Sequence, residues 1–303
     1  MESWLSQCRP FIAGAGRVVE TADGARLMLP SASSKHYGDA QLDDYAGRSR
    51  QAYRHRPPLR LSLRARFSHD AEDNQVTGTF ADPRSEAKGA EVPVTLASPW
   101  PPRLRGLLVG TAGFGFWNNP FGAQSKVPAL PQAIWFFCAS PPSNMALALG
   151  VPGCGWKAAC IDARRLSALA WLPIAPLALP ACRSPRLYRR VWPRIQRALG
   201  IRESLLAFRQ QPGGPIEPRP SSAFRMTDWH TYELEWRRDG ARWQVDGQTV
   251  LETDRSPRGP LGFVAWIDNQ YAVVTPWGKF GFGLLDAPYE QWLEIGEVLI
   301  TDH

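Results

Sequence analysis

The stretch Thr227-Asp-Trp-His-Thr-Tyr-Glu-Leu-Glu-Trp236, with Trp243-Gln-Val-Asp-Gly-Gln-Thr-Val-Leu251 close behind it, decides the fold class. From Tyr232 to Trp236 apolar and acidic residues alternate, which gives a strand one apolar and one wet face. Asp239-Gly240 marks a hairpin turn, because glycine accepts the positive φ that a tight turn requires. A second strand over 241–245 then runs into a second turn at Asp246-Gly247.

The same signals recur outward along the chain. The run Leu-Arg-Leu-Ser-Leu-Arg-Ala-Arg-Phe over 59–67 puts Leu59, Leu61, Leu63, Ala65 and Phe67 on one face, with Arg60, Arg64 and Arg66 on the other. Residues 17–30 read as a strand pair around Asp23-Gly24, and 36–45 as an opening strand. The runs 107–117 and 132–139 are strongly apolar, the second reading as buried on both faces. Further strands are expected at 145–149, 155–162, 261–271 and 292–300, with loops over 69–104 and 275–288. A strong helical signal appears only within 163–211. These features predict a single all-β domain over 1–303, a two-sheet antiparallel sandwich carrying a helical, arginine-rich insertion at 163–211.

Two motifs bear a family likeness. Trp229-His-x-Tyr-x-x-Glu-Trp236 with Trp243-x-Val-Asp-Gly247, and Gly113-Phe-Gly-Phe-Trp117-Asn118-Asn119-Pro120, resemble the concanavalin A-like lectin/glucanase superfamily. Within it they are similar to family 16 glycoside hydrolases and laminin-G modules. The resemblance implies a jelly-roll sandwich and a glycan-binding concave face. It also implies a Glu-x-Asp-x-(x)-Glu strand, since retaining hydrolysis needs two carboxylates about 5 Å apart. The strand at the matching place, Gln132-Ala-Ile-Trp-Phe-Phe-Cys-Ala-Ser140, has no carboxylate. An enzyme built on this chain would therefore not use the family's retaining mechanism.

Aromatic and amide residues stand in that region instead. Alternation places Trp117 with Asn119 on one face, Trp135 with Phe137 on another, and Trp266, Asp268 and Gln270 opposite Ile267, Asn269 and Tyr271. Together with Asn118 these are the candidate ligand-binding residues, flat rings beside a few amides. Asp268 is the candidate catalytic acid or base, because burial among rings would raise its pKa. The alternatives are that Trp117, Trp135 and Phe137 are inter-sheet core and that Asp268 is hydrogen-bonded structure. Asp39, Asp43 and Asp44 read as turn caps rather than calcium ligands, their spacing matching no known loop. No metal site and no cofactor are expected. Thirteen tryptophans in 303 residues suit a ligand cleft or a large core equally well.

The first ten residues show no basic n-region and no apolar h-region, so a secretory leader is not expected. Five cysteines, Cys8, Cys138, Cys154, Cys160 and Cys182, form no paired spacing, which points to reduced thiols and the cytoplasm. The net charge of +7 is concentrated in nine arginines between Ala163 and Arg202, without a nucleic-acid-binding motif. Within that insertion Ser184-Pro185 reads as a helix start and Gly200 as a stop. Leu187, Tyr188, Val191, Trp192, Ile195 and Leu199 fall on one helical face, opposite Arg186, Arg189, Arg190, Arg194 and Arg197. Such a helix suits either a lid on the sandwich or an anionic membrane surface docked through 163–202.

Two functions follow as expectations. One is glycan or glycan-like small-ligand binding in an aromatic cleft that lacks the usual catalytic carboxylates. The other is an intracellular enzyme acting on a lipophilic terpenoid, polyketide or lipid, with Asp268 as acid or base and the insertion as lid or membrane-docking element.

Overall fold

Strands form where side chains alternate between an apolar layer and water. The computed structural model describes residues 4–70, 108–120, 129–145, 151, 153–164, 185–206, 208–210, 216–218, 224–275 and 280–302. The first strands are β1 (Arg9–Ala13), β2 (Arg17–Glu20), β3 (Gly24–Leu29), β4 (Asp39–Asp43) and β5 (Leu59–Phe67). Next come β6 (Thr111–Trp117), β7 (Gln132–Ala139) and β8 (Gly155–Asp162), then helix α1 (Pro185–Ala198). Short strands β9 (Arg202–Leu205), β10 (Phe208–Gln210) and β11 (Ile216–Pro218) follow it. The chain continues with β12 (His230–Trp236), β13 (Ala241–Val245), β14 (Gln248–Thr253) and β15 (Gly262–Asp268). It ends with β16 (Gln270–Val274), β17 (Phe280–Leu284) and β18 (Gln291–Asp302).

Two seven-stranded antiparallel sheets result. The first has the order β1-β4-β15-β6-β7-β8-β9 and the second the order β14-β13-β12-β5-β18-β3-β2. Their inner faces form one core. Ala40, Leu42, Phe114, Phe116, Ile134, Phe136, Trp156, Phe263 and Ile267 come from the first sheet, and Leu27, Leu61, Phe67, Tyr232, Leu234, Trp236, Trp243 and Leu293 from the second. Rings meet edge to face across the layer, Phe114–Tyr232 at 5.0 Å and Phe136–Tyr232 at 5.1 Å between centroids. This arrangement suits the ring quadrupoles. The expected all-β jelly-roll sandwich is the fold observed.

The hairpin reading holds in detail. β12 pairs β13 with Trp236 opposite Ala241, and β5 buries Leu59, Leu61, Leu63, Ala65 and Phe67 as alternation requires. On the outer side Arg66 binds Glu294 at 2.8 Å and lies over the rings of Trp229 and Trp292 at 4.8 and 5.4 Å. The second sheet therefore meets water through paired charges and arginine-covered tryptophans.

Three segments differ from the sequence reading. The expected strand 261–271 is two strands, because the chain turns at Asn269 and β16 leaves the sheet to pair with β17. The expected loop at 275–288 contains β17. The insertion is only partly helical, since β9 joins the first sheet as its edge strand beside β8. Residues 146–149, most of the long loop 69–104 and residues 165–184 of the insertion lie outside the described residues. Among the described residues no helix is long and apolar enough to cross a membrane.

Helix α1 stops at Gly200, which takes φ +62 as a C-terminal glycine should. The C-terminal part of its apolar face is covered. Trp192 and Ile195 are buried with Val151 and Ile201, and Ile161 of β8, Val191 and Leu199 pack against them. Leu187, expected on that face, is 44% exposed near the start of the helix. Trp192 and Ile195 thus face protein, while Leu187 faces water. Trp192→Ala should loosen α1 and speed tryptic cleavage at Arg190, Arg194 and Arg197 severalfold, with Leu187→Ala leaving the rate unchanged. Equal rates in the two variants would place the anchor of the helix elsewhere.

Candidate functional site

The outer face of the first sheet carries an aromatic floor because β6 has no side chains at its middle. Gly113 and Gly115 lie on that face, opposite Trp266 and Val264 of β15 on one side and Phe137 and Trp135 of β7 on the other. A Cβ on Gly113 would stand 2.9 Å from the Trp266 ring, and one on Gly115 would stand 2.6 Å from the Trp135 backbone. Gly115 also takes φ +145, a conformation side chains disfavour. The neighbouring rings spread into the vacated space.

Trp117 and Trp266 lie parallel, 8° apart in plane and 6.5 Å between centroids. Trp135 sits 5.7 Å from Trp117 and 5.3 Å from Trp266, and Phe137 adds a fourth ring 5.6 Å from Trp135. All three tryptophans are half-buried, so ring surface remains open to water. The inter-sheet core instead takes Phe114, Phe116, Ile134 and Phe136, the alternate positions of the same strands.

A polar wall from β4 borders this floor. Asp39, Gln41 and Asp43 alternate with the core residues Ala40 and Leu42, and they stand opposite Asp268, Trp266 and Val264 of β15. Hydroxyls beside the wall, of Tyr45 and Thr111, anchor both parallel indoles by their N–H groups. Trp117 donates to the Tyr45 hydroxyl at 2.8 Å, which also accepts from Gln41 at 3.3 Å, and Gln41 donates to Asp43 at 2.8 Å. Trp266 donates to Thr111 Oγ1 at 2.9 Å, and that hydroxyl donates to Asp268 Oδ1 at 2.9 Å. With its N–H satisfied by a hydroxyl, each indole presents its ring as the free surface.

Asp268 and Asp39 are directly opposed in register, and both are buried. Cross-strand partners hold their Cβ atoms roughly 4.5–5.5 Å apart, so the two carboxyls adjoin. Burial and the proximity of Asp268 push the Asp39 carboxyl well above the usual carboxylate range. Burial likewise pushes Asp268 up to about 7, against three hydrogen bonds that favour its ion, from Gln270 N and from the Thr111 hydroxyl and amide. All three land on Oδ1. Tyr37 donates to Asp39 Oδ2 at 2.8 Å, while Asp39 Oδ1 is buried without a hydrogen-bond partner. Burial and the two acids raise the Tyr37 hydroxyl far above its ordinary value, which keeps it a donor. Two like charges this close in a dry site favour a state in which one proton is shared between them.

The structure sorts the residues singled out from sequence into two groups. Trp117, Trp135, Phe137, Trp266 and Asp268 share one face and form the floor and its acid. Asn118, Asn119 and Asn269 do not line it. Asn118 ties the β6–β7 connection by donating to Leu130 O and accepting from Gln132 N, both at 2.9 Å. Asn119 turns the chain at φ +45, and its carbonyl accepts from Arg50 at 2.8 Å. Asn269, fully buried, accepts from Gly38 N and donates to the carbonyls of Ser33, His36 and Leu285. It is a strut at the β15–β16 turn, which is why alternation across 261–271 misplaces it. Gln270 is exposed and interacts with Tyr37 beside the acid pair, while Tyr271 lies across Gly283 of β17.

The wall was missed from sequence. Asp43 does cap a turn as expected, accepting from Ala46 N at 2.7 Å, whereas Asp44 accepts from the distant Phe263 N at 2.8 Å and so ties two segments together. Asp39 does not cap a turn; it faces Asp268. The period-2 pattern Asp39-x-Gln41-x-Asp43 is the signal that finds it. On the opposite flank Lys157 is fully buried 3.5 Å from Glu203, with its ammonium 5.7 Å from the Phe137 ring. Helix α1, seated on Ile161, covers that flank. Among the described residues no cluster of three metal-ligating side chains occurs.

No family model matches the chain, and no curated protein matches it. Solved structures resemble it at low identity. One is the Crh5 transglycosylase in complex with NAG, with 9% identity and a TM-score of 0.41, covering 98% of this chain and 80% of that one. Another is an endo-1,3-beta-glucanase from Streptomyces sioyaensis, with 11% identity and a TM-score of 0.40, covering 95% of this chain and 79% of that one. A third is the Bacillus licheniformis beta-glucanase, with 12% identity and a TM-score of 0.40, covering 98% of this chain and 92% of that one. Likeness at this level concerns the sandwich and says nothing about the site.

The acid pair makes stability depend on pH with a definite sign. Carboxyls that hold protons in the fold but ionise in the unfolded chain stabilise the protein at low pH, and that contribution is lost as pH rises. The loss runs from the ordinary value of 3.8 up through about 7 for Asp268. Asp39→Asn should flatten this decline and make the protein more stable at pH 8 than the parent, because one of the two buried carboxyls no longer has to ionise. Denaturant unfolding at pH 5 and pH 8 measures it. An unchanged pH slope in the variant would mean the two carboxyls do not share a proton.

Proposed function

We propose that the outer face of the first sheet binds a saccharide, with pyranose faces stacked on Trp117, Trp135 and Trp266 and hydroxyls met by the β4 wall. The observation that carries this reading is the open tryptophan floor beside Asp39, Gln41, Asp43 and Asp268. A sugar ring has an apolar C–H face and a polar rim, and such a floor and wall complement both. The rival reading, an enzyme acting on a terpenoid, polyketide or lipid, would set an apolar ligand against Asp39 Oδ1, and an unsatisfied buried polar atom is costly to desolvate. The reading is one of binding. β7 has no carboxylate, and Asp39 and Asp268 come from two different strands rather than one acidic strand.

Titration of tryptophan fluorescence with β-1,3- and β-1,4-linked gluco-oligosaccharides tests it. Binding should shift or quench emission, and Trp266→Ala should weaken affinity by roughly 1–3 kcal/mol, a usual truncation cost for an aromatic contact. A variant that unfolds more easily but binds as well as the parent would make Trp266 structural. Incubation with mixed-linkage or β-1,3 glucans should release no reducing ends. Turnover abolished by Asp268→Asn would instead make the protein a hydrolase that uses this acid.

A further inference from the structure

Among the described residues the acid pair has no cationic counterpart. The groups acting on Asp39 are Asp268, Tyr37 and Asp43, none of them basic, and those acting on Asp268 are Thr111 and Gln270. On the far flank the sheet buries Lys157, but it pairs that ammonium with Glu203. Asp39 Oδ1 is left buried without a partner, on the face that carries Trp266 and Asp268. Nothing among the described residues explains the unpaired oxygen there, since a neutral side chain of the same shape would avoid the repulsion.

The tryptophan floor supplies the second observation. Trp266 and Asp268 are successive residues on one face of β15, ~6.6–6.8 Å apart along the strand. The indole is joined to the acid through the Thr111 hydroxyl. Ring faces beside a carboxylate pair are the two parts of a cation receptor. The rings attract positive charge through their quadrupole, and the acids neutralise it.

Building on the saccharide reading, we propose that the Asp39–Asp268 pair is an ammonium subsite, so that the ligand is an amino sugar whose protonated amine rests beside Trp266 and binds the pair. In the free protein burial holds a proton on the pair. The incoming R–NH₃⁺ takes over the role of that proton, which leaves to solvent, and the bound pair carries two negative charges. No covalent bond is made or broken. Asp43 and Tyr37, the other titratable groups facing the pair, keep their hydrogen bonds to Gln41 and to Asp39.

Calorimetry with three matched β-1,4 tetrasaccharides tests this: glucosamine, N-acetylglucosamine and glucose. At pH 6 the glucosamine tetramer should bind at least tenfold more tightly than either neutral tetramer. Titrations in two buffers of different ionisation enthalpy should show proton release for the glucosamine tetramer alone. In Asp39→Asn the amine's advantage should shrink to within about threefold. Equal binding of the three by the parent protein overturns the ammonium subsite and leaves the saccharide reading standing. Tighter amine binding without proton release also overturns it, since the charge would then be read elsewhere. If no tetramer binds, the saccharide reading falls and the subsite falls with it. The proton-release measurement uses the parent protein, so the test survives a failure of Asp39→Asn to fold.

Discussion

The aromatic floor of the candidate site depends on the missing side chains at Gly113 and Gly115. A sheet of this width normally spaces its outward residues evenly, and bulky neighbours stand up from the pleat. Here the central strand is bare at two successive outward positions, so the indoles of β15 and β7 lie over its backbone. Their faces point outward while their N–H groups reach Tyr45 and Thr111. The floor is therefore preorganised, and a ligand would not have to spend interaction energy on ordering the rings.

The two flanks of the floor treat charge differently. Lys157 and Glu203 are buried together, and mutual attraction offsets part of the cost of removing both from water. Asp39 and Asp268 are buried together with the same sign, and the fold answers with proton retention rather than a salt bridge. The second arrangement lowers stability at high pH. Strained electrostatics of this kind concentrate at functional sites, where a ligand supplies the missing interaction.

The second sheet has no such feature. Its outer face is a surface of paired charges, with Arg26 and Arg66 both on Glu294 and stacked on Trp292. That composition keeps the sheet solvated while its inner face closes the core. The division of labour follows from topology. One sheet is wet outside and apolar inside, and the other buries aromatic residues on one face and displays them on the other.

Much of this was written in local sequence. The alternation in β12 and β5 determined the sandwich, because a strand's two faces are set by a period of two residues whatever it pairs with. The same rule put Trp135 with Phe137 and Trp266 with Asp268, and the run Gly113-Phe-Gly-Phe-Trp117 contained the bare positions. Spacing also showed the apolar face of α1, but only packing revealed that Val151 and Ile161 cover it. Alternation failed at Asn269, where the chain turns and the side chain is drawn onto the backbone of two other segments. Above all, sequence could not pair β4 with β15. Which strands become neighbours is set by how the whole chain shares one core between two sheets. That long-range choice alone turned Asp39, a plausible turn cap, into the partner of Asp268.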